Sequence, residues 1–271
     1  MLKRTIPSSG EDIAAIGVGT WRGFDIGSGA AERDSRRAVL ETLLNADASV
    51  VDSSPMYGRA EGVAGDLLAD LGRRDDAFIA TKVWTRGRRE GIAEMEDSFR
   101  LFRTDVIDLM QIHNLVDWRT QLDTMRGWKA EGRFRYLGYT HYRPHAFEDL
   151  MDCLRSEPVD FVQFCYSIDE PDAENDILPF CRANGIATLI NLPFGGGGLL
   201  SRLSREPLPG LAAELGCTTW AQYCLKYVIS HPAVTCAIPG TSNPAHMADL
   251  LAAGEGILPD EATRREMAAA F

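Results

Sequence analysis

Four ionisable side chains stand at or just beyond the ends of short apolar runs. Val50-Val51 leads into Asp52 with Tyr57 five residues on, Phe78-Ile79-Ala80-Thr81 leads into Lys82, and Val106 to Ile112 leads into His113. Singly, each has an ordinary structural reading: a loop cap, a half-buried aromatic, a snorkelling lysine, a satisfied core histidine. As a set they can deliver a proton. A tyrosine hydroxyl, with a pKa of about 10, is a poor acid unless assisted. A neighbouring Lys82 ammonium favours the tyrosinate and is expected to lower that value. Asp52 can keep Lys82 charged in spite of burial, and a neutral His113 can donate an N–H to a substrate oxygen and orient it. Such a set suits protonation of an oxygen that is gaining negative charge, as when hydride adds to a carbonyl carbon.

These residues need a scaffold that brings successive strand ends to one place. Eight β-branched or apolar runs alternate with helical patterns: 14–20, 49–54, 77–83, 106–113, 135–141, 161–166, 186–192 and 234–239. Eight repeated β-α units predict a (β/α)8 TIM barrel, with the polar strand ends at its carboxyl mouth, rather than an open sheet of five or six strands. In 218–230, Trp220, Ala221, Cys224, Leu225 and Val228 share one helical face, and His231-Pro232 ends the helix. Before the first run, 2–6 and 13–16 flank Pro7-Ser8-Ser9-Gly10, which predicts a β-hairpin closing the barrel bottom. No shift in composition marks a second domain, so residues 1–271 read as one barrel domain.

A formal charge of -11, from 39 acidic and 28 basic side chains, argues against a broad nucleic-acid surface. The apolar runs are too short to span a bilayer and no amino-terminal signal pattern is evident, so a cytoplasmic protein is expected. The six cysteines form no C-x-x-C pair and no zinc-like spacing, and read as buried thiols; no metal is expected. A monomer or weak oligomer acting on a small molecule completes the expectation.

At these residues the chain resembles the aldo-keto reductase superfamily along nearly its whole length. The resemblance is carried by Gly17-Val18-Gly19-Thr20-Trp21, Val51-Asp52-Ser53-Ser54-Pro55-Met56-Tyr57-Gly58 with Glu61, Thr81-Lys82-Val83, and Asp108-Leu109-Met110-Gln111-Ile112-His113. It implies reduction of an aldehyde or ketone by NADPH, with NADH as the alternative. It makes Tyr57 the acid, Lys82 and Asp52 its tuning partners, and His113 the orienting group. Family cofactor positions fall on Thr20, Trp21, Asp52, Thr140, His141 and Gln163. Thr140-His141 stands where relatives carry Ser-Asn. After the seventh strand, Asn191-Leu192-Pro193-Phe194 replaces an aromatic-Ser-Pro-Leu run, so the usual nicotinamide-stacking position is not aromatic. In the following Gly195-Gly196-Gly197-Gly198-Leu199 the four glycines have no Cβ atoms to keep a pyrophosphate off the backbone. Gly240, Thr241, Ser242 and His246 fall on the segment that grips the adenosine 2′-phosphate, without its usual fixed charges. Trp21, Phe24, Trp84, His113, Asn114 and Trp118 are expected to line the substrate pocket.

Two other classes fit part of the pattern. One is a regulatory barrel that binds the cofactor and senses its redox state with little turnover. The other is a metal-dependent barrel hydrolase using His113 and His141, for which the histidine spacing is poor. The fingerprint G-x-G-x-x-G of Rossmann dehydrogenases is absent after any strand that leads into a helix.

Overall fold

The computed structural model describes residues 1–269 and 271. Two short antiparallel strands come first, β1 (Lys3–Thr5) and β2 (Asp12–Ala14). Eight parallel strands follow in sheet order: β3 (Val18–Gly19), β4 (Val50–Asp52), β5 (Phe78–Val83), β6 (Ile107–His113), β7 (Phe134–Thr140), β8 (Phe161–Cys165), β9 (Ala187–Asn191) and β10 (Cys236–Ala237). Parallel bridges from Ile16 to Ala237 and from Gly19 to Gly240 bring the first of these strands against the last, giving the (β/α)8 barrel. The helices are α1 (Ala30–Asn45), α2 (Ala60–Asp70), α3 (Arg88–Phe102), α4 (Trp118–Ala130), α5 (Phe147–Ser156), α6 (Ile177–Ala183), α7 (Gly198–Leu203), α8 (Gly210–Glu214), α9 (Trp220–Ser230), α10 (Pro244–Ala252) and α11 (Glu261–Ala268).

The strand runs read from sequence agree closely with β5 to β9 and shrink at the seam, where β3 and β10 keep two residues each. The seam is tight. A Cβ at Gly19 would lie 2.8 Å from the Ile238 carbonyl across the seam, and on the β4 side one at Gly17 would lie 2.7 Å from Val50 Cβ. Glycine allows this close approach, and isolated bridges replace a continuous ladder.

Two apolar layers hold the barrel. Inside, Val50, Phe78, Leu109, Tyr136, Phe161 and Leu189 pack with Ile6 and Ile13 of the hairpin, which therefore plugs the amino-terminal end as expected. Tyr136 fastens the plug by donating to Glu11 Oε2 at 2.6 Å and accepting from Ser9 Oγ at 2.7 Å. Outside, the apolar faces of the helices pack on the outward-facing strand residues, such as Ile79, Ile112 and Val162. Side-chain caps start the later helices: Thr219 accepts from Gln222 N before α9, Asn243 from Ala245 N before α10, and Asp260 from Thr263 N before α11. Among the described residues no helix is long and apolar enough to cross a membrane.

Candidate active site

Because successive strand residues point to opposite faces, Asp52, Lys82, Gln111, His113 and Gln163 all enter the barrel. Lys82, wholly buried, donates to Asp52 Oδ2 at 2.7 Å and to the Ser53 carbonyl at 2.6 Å. Asp52 Oδ1 accepts from Gln163 Nε2 at 2.8 Å and from Gln111 Nε2 at 3.1 Å. Burial opposes the Lys82 charge, but the Asp52 carboxylate and Tyr57 outweigh it and hold the ammonium above its ordinary range.

Tyr57 arrives from a loop. Pro55 opens a single 3-10 turn, Pro55–Tyr57, whose first residue is preceded by Ser54 accepting from Met56 N. Gly58 then takes φ 65°, and a Cβ there would strike the Asp25 carboxylate at 2.6 Å. This turn sets the Tyr57 ring 5.2 Å from Lys82 Nζ and edge-on to His113, with centroids 5.9 Å apart. The expected drop in the Tyr57 pKa needs correction. Burial of the hydroxyl raises it and outweighs the lowering by Lys82, while Asp52 raises it further.

His113 is pushed down to about 3 by burial and by the Lys82 charge, so its imidazole is neutral near pH 7. Ser54 Oγ accepts from Met56 N and lies 3.0 Å from His113 Nδ1. With the Ser54 proton directed to Nδ1, Nε2 carries the hydrogen, the tautomer that can donate to an oxygen.

Backbone strain marks the same end of the barrel. Among the described residues, five of the seven non-glycine residues with positive φ, Arg22, Asn114, Leu115, Asp117 and Leu192, lie in loops that leave the carboxyl ends of strands. Trp84 joins the site, its ring 6.1 Å from His113 and 42% exposed, and Trp21 is 45% exposed under the Arg22 guanidinium. Asn114 is half-buried, with an unpartnered Oδ1. Two expected wall residues lie elsewhere. Phe24 is wholly buried in the outer core, turned inward by the tight turn in which its N–H bonds the Thr20 carbonyl. Trp118 packs edge-on against Tyr139, an outward-facing residue of β7, between barrel and helices.

The expected cofactor residues are disposed around the mouth. Thr20 is buried and donates to Ser53 Oγ at 2.8 Å. Thr140 is buried at the end of β7, and His141 lies flat on Tyr142 with its Nδ1 accepting from Arg143 N. Gln163 is engaged with Asp52. Asn191 ends β9 with a buried Oδ1 that has no donor. Leu192 and Phe194 are half-buried, Leu199 is buried, and Gly195 to Gly198 are exposed. Around Gly196, Gly197 and Gly198 the Cβ positions are open space. Gly240 is exposed, the Thr241 hydroxyl accepts from Asn243 N, and the Ser242 carbonyl accepts from Ser35 on α1. His246 is exposed on α10. An orphaned acceptor at Asn191 and an open glycine cradle beyond it fit a ligand with a carboxamide at one end and a pyrophosphate further out.

The sequence reading gave no role to Ser54 or Gln111. Both are neutral polar residues within recognised segments, and their inward direction was the available signal.

A parallel barrel with a tyrosine, a charged lysine and a neutral histidine gathered at its carboxyl mouth is built as an enzyme that moves a proton to a polarised oxygen. The chain belongs to the aldo/keto reductase family, whose family model matches residues 15–267. It is accordingly a carbonyl-reducing oxidoreductase. It is 28% identical over 255 residues to methylglyoxal reductase YeaE of Escherichia coli (strain K12), covering 91% of this chain and 88% of that protein. It is 27% identical over 246 residues to the NADH-specific methylglyoxal reductase of the same organism, covering 76% of this chain and 72% of the relative. An aldo-keto reductase from Klebsiella pneumoniae, solved in complex with NADPH, superposes with a TM-score of 0.84 at 26% identity, over 100% of this chain and 95% of that one.

Proposed function

We propose that this enzyme reduces small aldehydes, 2-oxoaldehydes of the methylglyoxal type among them, with NADPH as principal cofactor and NADH as the alternative, and that Tyr57 is its general acid. The convergence of Tyr57, Lys82, Asp52 and His113 carries the reading. The names of the two Escherichia coli relatives support the substrate class, and the NADPH complex of the Klebsiella protein supports the cofactor.

Asn191, Gln163, Thr140 and His141 would hold the carboxamide end, Gly195 to Gly198 the pyrophosphate, and Thr241 and Ser242 the adenosine end. A bound dihydronicotinamide supplies the hydride. His113 donates its Nε2–H to the carbonyl oxygen and fixes its direction toward Tyr57. As charge builds on that oxygen, Tyr57 gives up its proton, and Lys82 stabilises the tyrosinate left behind. Asp52 keeps Lys82 charged throughout. The raised pKa of Tyr57 keeps the hydroxyl protonated at neutral pH, so the acid is present before reaction. The exposed Trp21 and Trp84 give an open rim that admits small substrates.

The barrel works as one domain, in the cytoplasm, as a monomer or weak oligomer. An acidic balance of 39 to 28 supports the expectation of no nucleic-acid partner. NADPH and NADH oxidation with methylglyoxal and with a bulky aryl ketone tests the reading. Turnover of methylglyoxal is expected, with higher kcat/KM for NADPH. Tight cofactor binding without oxidation of either cofactor over a wide carbonyl panel would overturn it in favour of a regulatory barrel.

A further inference from the structure

One residue in the barrel is placed as though for the chemistry without reaching the mouth. Gln111 on β6 is wholly buried and sits two residues before His113 on the same inward face. It pairs in register with Lys82 on one side and Gly138 on the other. Its Nε2 lies 3.1 Å from Asp52 Oδ1 and 3.5 Å from the Thr81 carbonyl, while its Oε1 is buried without a partner. The amide orientation is decided by chemistry, since only the NH2 end can donate to a carboxylate. An orphaned buried acceptor costs stability, so packing alone does not account for glutamine here; a methionine would fill the space with no unsatisfied atom.

Gly138 makes the reach feasible. A Cβ at this position would lie 3.1 Å from Gln111 Cγ and 3.1 Å from the Phe161 carbonyl. The missing side chain leaves the room through which Gln111 reaches Asp52 Oδ1. Asp52 is thus held at both oxygens, with Lys82 on Oδ2 and two amides on Oδ1. Of the two amides, Gln163 lies at the expected nicotinamide position, where a bound carboxamide competes for it. Gln111, two residues before His113 on β6, falls at no expected cofactor position.

We propose that Gln111 is a positioning residue for carbonyl reduction: its amide fixes the Asp52 carboxylate, and through it the charged Lys82 beside Tyr57, when Gln163 is drawn toward cofactor. The inference rests on the reading of Tyr57 as the acid. Without the Gln111 donor, Asp52 can turn about its last bond and its Oδ2 leaves Lys82. Burial then drives the ammonium toward its neutral form. Tyr57 and Lys82 titrate as a coupled pair, so the pair loses its first proton at lower pH.

The test is the pH dependence of kcat for Gln111→Met, which keeps the size and removes the donor, beside Tyr57→Phe and the unaltered enzyme. The alkaline limb is expected to move down by about one pH unit. At neutral pH kcat should fall about tenfold, the scale of one hydrogen bond to a charged group. The NADPH dissociation constant should stay within about twofold, because the proposed cofactor contacts do not include Gln111. Gln111→Glu supplies the second arm. When protonated it donates to Asp52 and is expected to restore kcat at low pH. It then loses activity through a limb earlier than that of the unaltered enzyme, because two buried carboxylates cannot both ionise freely. A merely structural role would move neither limb. If both variants keep the original pH profile while Tyr57→Phe is inactive, the Gln111 inference alone fails. If Tyr57→Phe turns over normally, the acid assignment and this inference fail together.

Discussion

Around the ends of β4, β5 and β6, with Gln163 reaching in from β8, side chains hold one another: Lys82 on Asp52, Ser54 on His113, Gln111 and Gln163 on Asp52, at 2.7 to 3.1 Å. At the end of β9 and beyond β10 the expected contacts are of another kind: an unpartnered Asn191 oxygen, four exposed glycines, and a Thr241 hydroxyl engaged in its own turn. The first rim is organised before any ligand arrives, and its electrostatics act on a charge that develops during reaction. The second presents mainly backbone, and its order is completed by the ligand it binds. Changes on the first rim should therefore lower kcat, and changes on the second should weaken cofactor binding.

Breaking the ion pair should give the largest effect. Lys82→Met leaves Asp52 charged and buried with no cation, so stability by urea unfolding should drop by about 3–5 kcal/mol. Turnover should fall by roughly 100- to 10,000-fold, the span of a positioned proton-transfer group. Unchanged stability would mean that the pair is not held as described. On the other rim, Gly197 has φ 96°, and alanine there is strained at a cost of about 1 kcal/mol. If the cradle must keep its shape to bind, Gly197→Ala should weaken NADPH binding by roughly fivefold. With saturating cofactor its kcat should stay near that of the unaltered enzyme. A lower kcat with unchanged affinity would erase the contrast between the rims.

The barrel was legible because eight apolar runs alternate with helical ones, and the polar strand ends at 52, 82 and 113 pointed to the mouth. What stayed hidden depends on direction at single residues. Phe24 and Trp118 follow strand ends, as Trp21 and Trp84 do. Whether each faces the mouth or the helix layer turns on loop dihedrals that residue type does not set. Gln111 reads inward from its alternation with His113, yet its partner Asp52 lies 59 residues away. The shift of Tyr57 went the other way from the expectation because the lysine effect can be read from residue types, while the depth of the hydroxyl appears only in the fold. The short strands at the seam followed from glycines whose close neighbours are likewise set by tertiary structure.

On the proposed reading, Tyr57 delivers the proton and does not hold the cofactor. Equilibrium NADPH titration and single-turnover reduction of methylglyoxal by Tyr57→Phe test it directly. Tyr57→Phe should show a dissociation constant within about twofold of the unaltered enzyme and a rate lower by at least about 100-fold. Reduction at the unaltered rate, with binding intact, would contradict it.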